Sequence, residues 1–362
     1  MHVRHVIVSG VRRETYTVID DDGRVVELVD DYLALCTDRE HSPNTLRARA
    51  YDLKEWLIFL RLLNIEPLTA VPEHVDQFAG WLRRPVGPGQ LRPVTAEDGP
   101  SRKASTANRI LDSVYMFYEF HARRGVGMGA QLERYRPARP GDYGGFLAGI
   151  ADRSVKERPT RLKEEKRRPA TLSDIEVQQI LDACDRLRDR FLMALMFETG
   201  CRIGQALGLH HEDIDTDRRA VTLWPRDNNV NRARGKSRDP KQIPVRRTLL
   251  DLYADYLFGE YGELDCDYVF VNLWNGPVGA PMGYWAVMSL VKRLRRRTGV
   301  DFHPHLFRHT HATALLRAGV RLEVVSDLLT HVSVQTTADT YAHLDTDDLA
   351  DELARVGFWS AG

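Results

Sequence analysis

The sequence predicts a mainly α protein with a small β-sheet, folded as two domains, and three observations carry that reading. Long stretches repeat apolar residues at helical spacing, whereas alternating runs are few and short. Between the helical stretches lies a Gly/Pro-rich and then basic segment, residues 125–169. The length of 362 residues allows two domains, and a hydrophobic content of 43% is enough to fill their cores.

Residues 1–27 alternate apolar and polar positions, and Asp22-Gly23 between two such runs signals a hairpin, so a small β appendage is expected. Residues 28–124 turn helical. Ser42 as N-cap and Pro43 at the first helical position start a helix with Leu46, Leu53, Trp56, Leu57 and Leu60 on one face. Further helices are predicted over 72–82 and over 105–121, the latter with Ile110, Val114, Phe117 and Tyr118, separated by a Gly/Pro-rich loop. Residues 125–169, with RYRPARPGDYGG followed by a basic stretch, are expected to be a linker.

The second domain, 170–362, opens on a capping box, Ser173 at N-cap and Glu176 three positions on, with Ile175, Val177, Ile180 and Leu181 continuing an apolar face. A buried helix over 190–199 ends at Gly200, and the next helix, RIGQALGL, carries Arg202. A strand over 220–224, a long polar loop and KQIPV form a hairpin, and helices follow over 249–258 and 284–297. After residue 334 a helix holding Tyr341 and a final helix over 349–358 are expected.

Composition excludes several classes. The four cysteines, Cys36, Cys184, Cys201 and Cys266, are widely spaced with no C-x-x-C pair, which argues against a disulfide framework and a zinc site and for a reducing compartment, the cytoplasm. No signal-peptide pattern opens the chain, and no long uncharged apolar run could span a bilayer. Lys+Arg and Asp+Glu both total 51, so net charge gives no hint of a polyanionic partner. The distribution does: RSVKERPTRLKEEKRR, RARGKSRDPK and KRLRRR are basic, while IDDDGRVVELVDD and DTDDLADE are acidic. One basic run is ordinarily a solvated face; three around one set of motifs favour a phosphate-binding surface.

That set runs through TGCRIGQALGL, HLFRHT, LLTH and VSVQTTADTYAHL. His305 and Arg308 are three apart and so share one face if this stretch is helical. Arg202 and Arg308 can each fork onto phosphate oxygens, which a lysine cannot reproduce. His305 can accept or relay a proton, His331 can donate to phosphate, and Tyr341 can attack phosphorus once neighbouring cations and a base activate it. Taken singly, an arginine after a helix start is more often a surface ion-pair partner and a tyrosine more often packing; the joint pattern reverses that. The dense histidines, His303, His305, His309 and His311, lack a carboxylate or cysteine at ligand spacing, so no metal is expected and His309 is assigned to structure. Cys201 beside Arg202 is assigned to packing rather than to nucleophilic chemistry.

These motifs, in this order, resemble the tyrosine recombinases of the phage integrase family, and the resemblance reaches from about residue 26 to the end. It implies a two-domain DNA clamp, with residues 28–124 as a helical core-binding (SAM-like) domain and 170–362 as the catalytic domain. It implies cleavage and rejoining of double-stranded DNA through a 3′-phosphotyrosyl intermediate on Tyr341, with Arg202, His305, Arg308 and His331 as site residues and no cofactor. Lys236 matches the hairpin lysine that protonates the leaving 5′-oxygen in the family, with Lys241 as the competing lysine. Gln205 stands where the family has an acid, so its supporting role is altered, and Thr330 replaces the usual Gly before the second histidine. Family behaviour further implies a homotetramer on two duplexes, a monomer or dimer when free, and work at the nucleoid with no membrane. A type IB topoisomerase-like relaxer and a non-catalytic DNA-binding protein that keeps the fold are the alternatives.

Overall fold

Ser42 accepts the Thr45 N–H with Pro43 at the first helical position, so α2 (Pro43–Leu62) starts where its cap signal lies. The computed structural model describes residues 1–8, 13–84, 102–125, 134–137, 154–158, 160–164, 170–235 and 239–329. The chain divides into two compact units, Met1–Lys166 and Arg167–Gly362.

In the first unit α1 (Glu27–Asp38), α2, α3 (Pro72–Arg83) and α4 (Ala104–Ala122) surround one aromatic-rich core. Trp56, Phe78, Phe117 and Tyr118 are fully buried, each such side chain contributing about 1.5–3 kcal/mol. The polar ends are satisfied: Trp56 Nε1 donates to Tyr118 Oη at 3.0 Å, and Tyr118 Oη donates to the Pro67 carbonyl at 2.6 Å. The N-terminal hairpin pairs β1 (His2–Val8) antiparallel with β2 (Arg13–Ile19), and β2 is built into the helical core through Val18. Asp22-Gly23 forms only a small turn after β2, closed by the Ile19–Val25 bridge, with Gly23 at φ 81°. Residues 125–169 are more than a connector. They include β3 (Arg134–Pro137) paired antiparallel with β4 (Ser154–Glu157), and Asn108 of α4 holds Leu162 through both its N–H and its carbonyl.

The second unit is built around α6 (Leu187–Thr199), which packs against α5 (Asp174–Asp182), α8 (Arg247–Tyr256) and α10 (Pro304–Arg317). Phe191, Leu192, Met193, Leu195 and Met196 are all buried, as expected of a helix enclosed on every side. The Ser173–Glu176 capping box forms as its sequence requires, but Ile175 is 71% exposed and does not share the apolar face of Val177 and Ile180. As the second position inside the helix it points away from α6, and the cap fixes that orientation.

Short α7 (Ile203–Leu207) follows, then a three-stranded antiparallel sheet of β5 (Ile214–Asp215), β6 (Ala220–Leu223) and β7 (Lys241–Pro244). The β6–β7 register sets Leu223 opposite Lys241, so the long loop starts at Trp224. The described part ends with α9 (Tyr284–Thr298), α10 and α11 (Leu322–Leu328). The predicted helices after residue 334, with Tyr341 and the C-terminal segment, lie outside the described residues. The architecture is mainly helical with small sheets. Among the described residues no helix is long and apolar enough to cross a membrane.

Candidate active site

The site grows from the C-terminal end of α6. Gly200 caps that helix at φ 61°, and its N–H donates to the Met196 carbonyl at 3.1 Å. A side chain there would crowd its neighbours, because a Cβ would lie 2.8 Å from His311 Cδ2 and 3.0 Å from Leu329 Cδ2. The chain therefore turns sharply and leaves Arg202, two residues on, extended at φ −75° and ψ 149° as the N-cap of α7. Sequence reading set Arg202 within that helix. The structure sets it just before, because Gln205 Oε1 accepts the Arg202 N–H at 2.9 Å and fixes the helix start. Gln205 is 4% exposed, and among the described residues its Nε2 has no hydrogen-bond partner.

α10 brings His305 and Arg308 to the same place. Arg308 is 2% exposed. Its Nη1 donates to the Gly200 carbonyl at 2.9 Å and its Nη2 to the Leu329 carbonyl. One guanidinium thus ties the turn that carries Arg202 to the chain that leads into His331. His305 is exposed overall, yet loss of water around its ring pushes its pKa down to about 4, with His309, Arg308, His303 and Arg202 pushing the same way. The imidazole is neutral near pH 7 and able to take a proton. Burial lowers the pKa of Arg202 too, though it stays a cation.

The loop after β6 is anchored by contacts that sequence reading missed. Arg226 pairs bidentately with Asp213, at 2.5 and 2.9 Å, and Asn231 Nδ2 donates to the Leu207 and Met282 carbonyls, each at 2.9 Å. The loop then runs along α7 so closely that a Cβ on Gly204 would meet the Arg234 carbonyl oxygen at 2.2 Å. A Cβ on Gly235 would lie 3.5 Å from Gln205 Cγ, so the residue before Lys236 abuts the Arg202 turn. The run of asparagines in RDNNVNR was the available signal, since such side chains satisfy loop backbone.

The predicted residues divide accordingly. Arg202, Gln205, His305 and Arg308 converge. Lys236, His331 and Tyr341 lie outside the described residues, although Gly235 and Leu329 lead toward the same centre. Lys241, the competing lysine, is engaged with Asp327 of α11. Cys201 is 2% exposed and burial raises its pKa to about 11, which keeps the thiol protonated and packed. His309 packs edge-on against His305, with ring centroids 4.6 Å apart. Among the described residues no group of three His, Cys, Asp or Glu is placed to hold a metal ion.

Residues 170–348 match the model of the phage integrase family. Transposase A from transposon Tn554 of Staphylococcus aureus is 36% identical over 358 residues, covering 98% of this chain and 97% of that protein. Tyrosine recombinase XerD of Mycobacterium tuberculosis is 29% identical over 318 residues, 84% of this chain and 88% of that protein. Among solved structures, the Tn1549 transposon integrase in complex with transposon right end DNA superposes with a TM-score of 0.58 at 16% identity, covering 91% of this chain and 99% of that one. A lambda integrase dimer bound to a core site gives 0.56 at 16%, covering 86% and 96%.

Proposed function

The chain belongs to the phage integrase family and is a site-specific tyrosine recombinase, and on that premise we propose that Tyr341 is its nucleophile, working with Arg202, Lys236, His305, Arg308 and His331. Tyr341 Oη attacks the scissile phosphorus, a 3′-phosphotyrosyl bond forms, and the bond to the 5′-oxygen breaks with a proton from Lys236. Arg202 and Arg308 neutralise the non-bridging oxygens, His331 donates to them, and neutral His305 takes the tyrosine proton. The 5′-hydroxyl of a partner strand then reverses the step. Phosphodiester energy is kept in the tyrosyl ester, so the proposed cycle uses neither ATP nor a metal.

The observation that carries this reading is the buried Arg308, which joins the Arg202 turn to Leu329, two residues before His331. The pairing of Lys241 with Asp327 favours Lys236 as the acid. The match to a transposase along almost the whole chain favours mobilisation of a transposon over a housekeeping resolution role. Residues 28–124 would bind the duplex as the core-binding domain, in a homotetramer on two duplexes, within the cytoplasm at the nucleoid.

The test is covalent trapping on DNA from the ends of the element carrying the gene, without added metal, comparing the natural protein with Tyr341→Phe under denaturing conditions. An adduct in the former and none in the latter is the expected result. An adduct that survives Tyr341→Phe would remove Tyr341 as nucleophile.

A further inference from the structure

A second arginine cluster lies at the other end of α6, ~20 Å from Gly200 along its 13 residues. There a cleft of about 210 Å³ is lined by Arg186, Arg188, Arg293, Arg297 and Trp274. Two guanidiniums lie over the indole, Arg186 at 4.4 Å and Arg188 at 4.7 Å from its ring centroid. Asp189 is shared by Arg188 and Arg293, and Asp185 pairs with Arg297. Glu260 is used elsewhere, accepting the Leu187 and Arg188 N–H groups, both at 3.0 Å. Among the described residues Arg186 has no carboxylate at ion-pair distance. The cleft thus sets four guanidiniums against two carboxylates.

An exposed aromatic lies next in sequence to a residue packed on the start of α6. Phe258 is 90% exposed and Trp274 40% exposed. The residue after Phe258 abuts the start of α6, since a Cβ on Gly259 would lie 3.0 Å from Leu187 Cδ1. Aromatic residues and arginine together, around a concave centre, are the composition of protein-interface hot spots. A phosphate backbone would use the arginines but would have no use for an exposed phenylalanine. We propose that this cleft and Phe258 dock an acidic segment of a partner protein, with carboxylates over Arg186 and an apolar side chain against Phe258. The surface is separate from the catalytic arginines and serves recruitment rather than strand cleavage.

The test uses the full chain and a fluorescein-labelled glutamate-rich peptide with one central phenylalanine, followed by anisotropy. Arg186→Glu is expected to weaken binding roughly tenfold and Phe258→Ala several-fold, with the yield of the DNA adduct unchanged. Both positions are exposed, and melting temperatures verify that both variants fold. The proposal is overturned if the peptide does not bind, if the variants bind it equally well, or if a lysine-for-glutamate peptide binds as tightly. It is overturned also if Arg186→Glu weakens duplex binding to the same extent, which would make the cleft a nucleic-acid contact. Self-association abolished by Arg186→Glu would reassign the surface to a second copy of the chain.

Discussion

At the N-terminal end of α6, buried Arg188 gives its guanidinium to the Asp189 carboxylate and the Val271 carbonyl, whereas near the C-terminal end buried Arg308 gives its own to the carbonyls of Gly200 and Leu329. A carboxylate cancels the charge it holds. A carbonyl dipole fixes a guanidinium in place and leaves its charge available to an incoming anion. Among the described residues the two arginines thus differ in the partners their guanidiniums hold, a carboxylate and a carbonyl for Arg188 and two carbonyls for Arg308, rather than in depth, with 9% exposure for Arg188 and 2% for Arg308.

The comparison breaks most visibly under truncation of the two arginines. Arg188→Ala leaves buried Asp189 with Arg293 alone, so the cost falls below the about 3–5 kcal/mol of breaking an unshared buried pair. Arg308→Ala strands two carbonyls, at about 1–3 kcal/mol each. Both variants should melt well below the natural protein. Only Arg308→Ala should also lose cleavage within the folded fraction, by roughly 10²–10³-fold, the usual scale for removing a transition-state donor. Single-turnover adduct formation below both melting transitions checks this. Equal losses of rate in the two variants would mean that charge availability is not what separates the ends.

A smaller effect sharpens the same contrast through the backbone. Gly200 and Gly299 both cap helices at positive φ, 61° and 73°. Only Gly200 faces close neighbours, His311 and Leu329. Gly299→Ala should therefore cost only the left-handed penalty of about 1–2 kcal/mol. Gly200→Ala should cost that and a further steric term, and should shift the Arg202 turn. Urea denaturation of the two variants measures the first difference, and adduct yield the second. Matching denaturation midpoints would show that the turn has slack that the close contacts deny.

These contrasts also show what was legible in the sequence. Ser42-Pro43, Ser173 with Glu176, and Gly200 were readable because a cap finds its partners within about four residues. The order of Arg202, His305 and Arg308 along the chain was readable as a motif, and the shared face of His305 and Arg308 followed once the stretch was helical. The acceptors were not readable. Arg308 reaches a carbonyl 108 residues away, Arg226 pairs with Asp213, and Lys241 meets Asp327 across 86 residues, and tertiary packing alone selects such partners. β3 and β4 escaped notice because a four-residue strand in a Gly/Pro-rich span has no alternation to reveal it and exists only through its partner. Ile175 misled because apolar character says nothing of facing once the cap has set the helix orientation.

The smallest expected effect concerns protons. His305 and His311 both titrate at about 4, each depressed first by burial, with Arg308 a further cause for both. An unfolded histidine titrates near 6.5, so below that pH the unfolded chain binds more protons than the native one. Their contribution to stability is thus complete above about pH 6.5 and declines as pH falls toward 4. The urea midpoint should fall across that window, and His311→Gln should flatten the slope. The pH profile of cleavage should behave differently, because neutral His305 remains competent as a base until pH nears its own value of about 4. A rate that fell with a midpoint near 6.5 while the protein stayed folded would mean that His305 is not held neutral by loss of water around its ring and by the neighbouring His309 and Arg308.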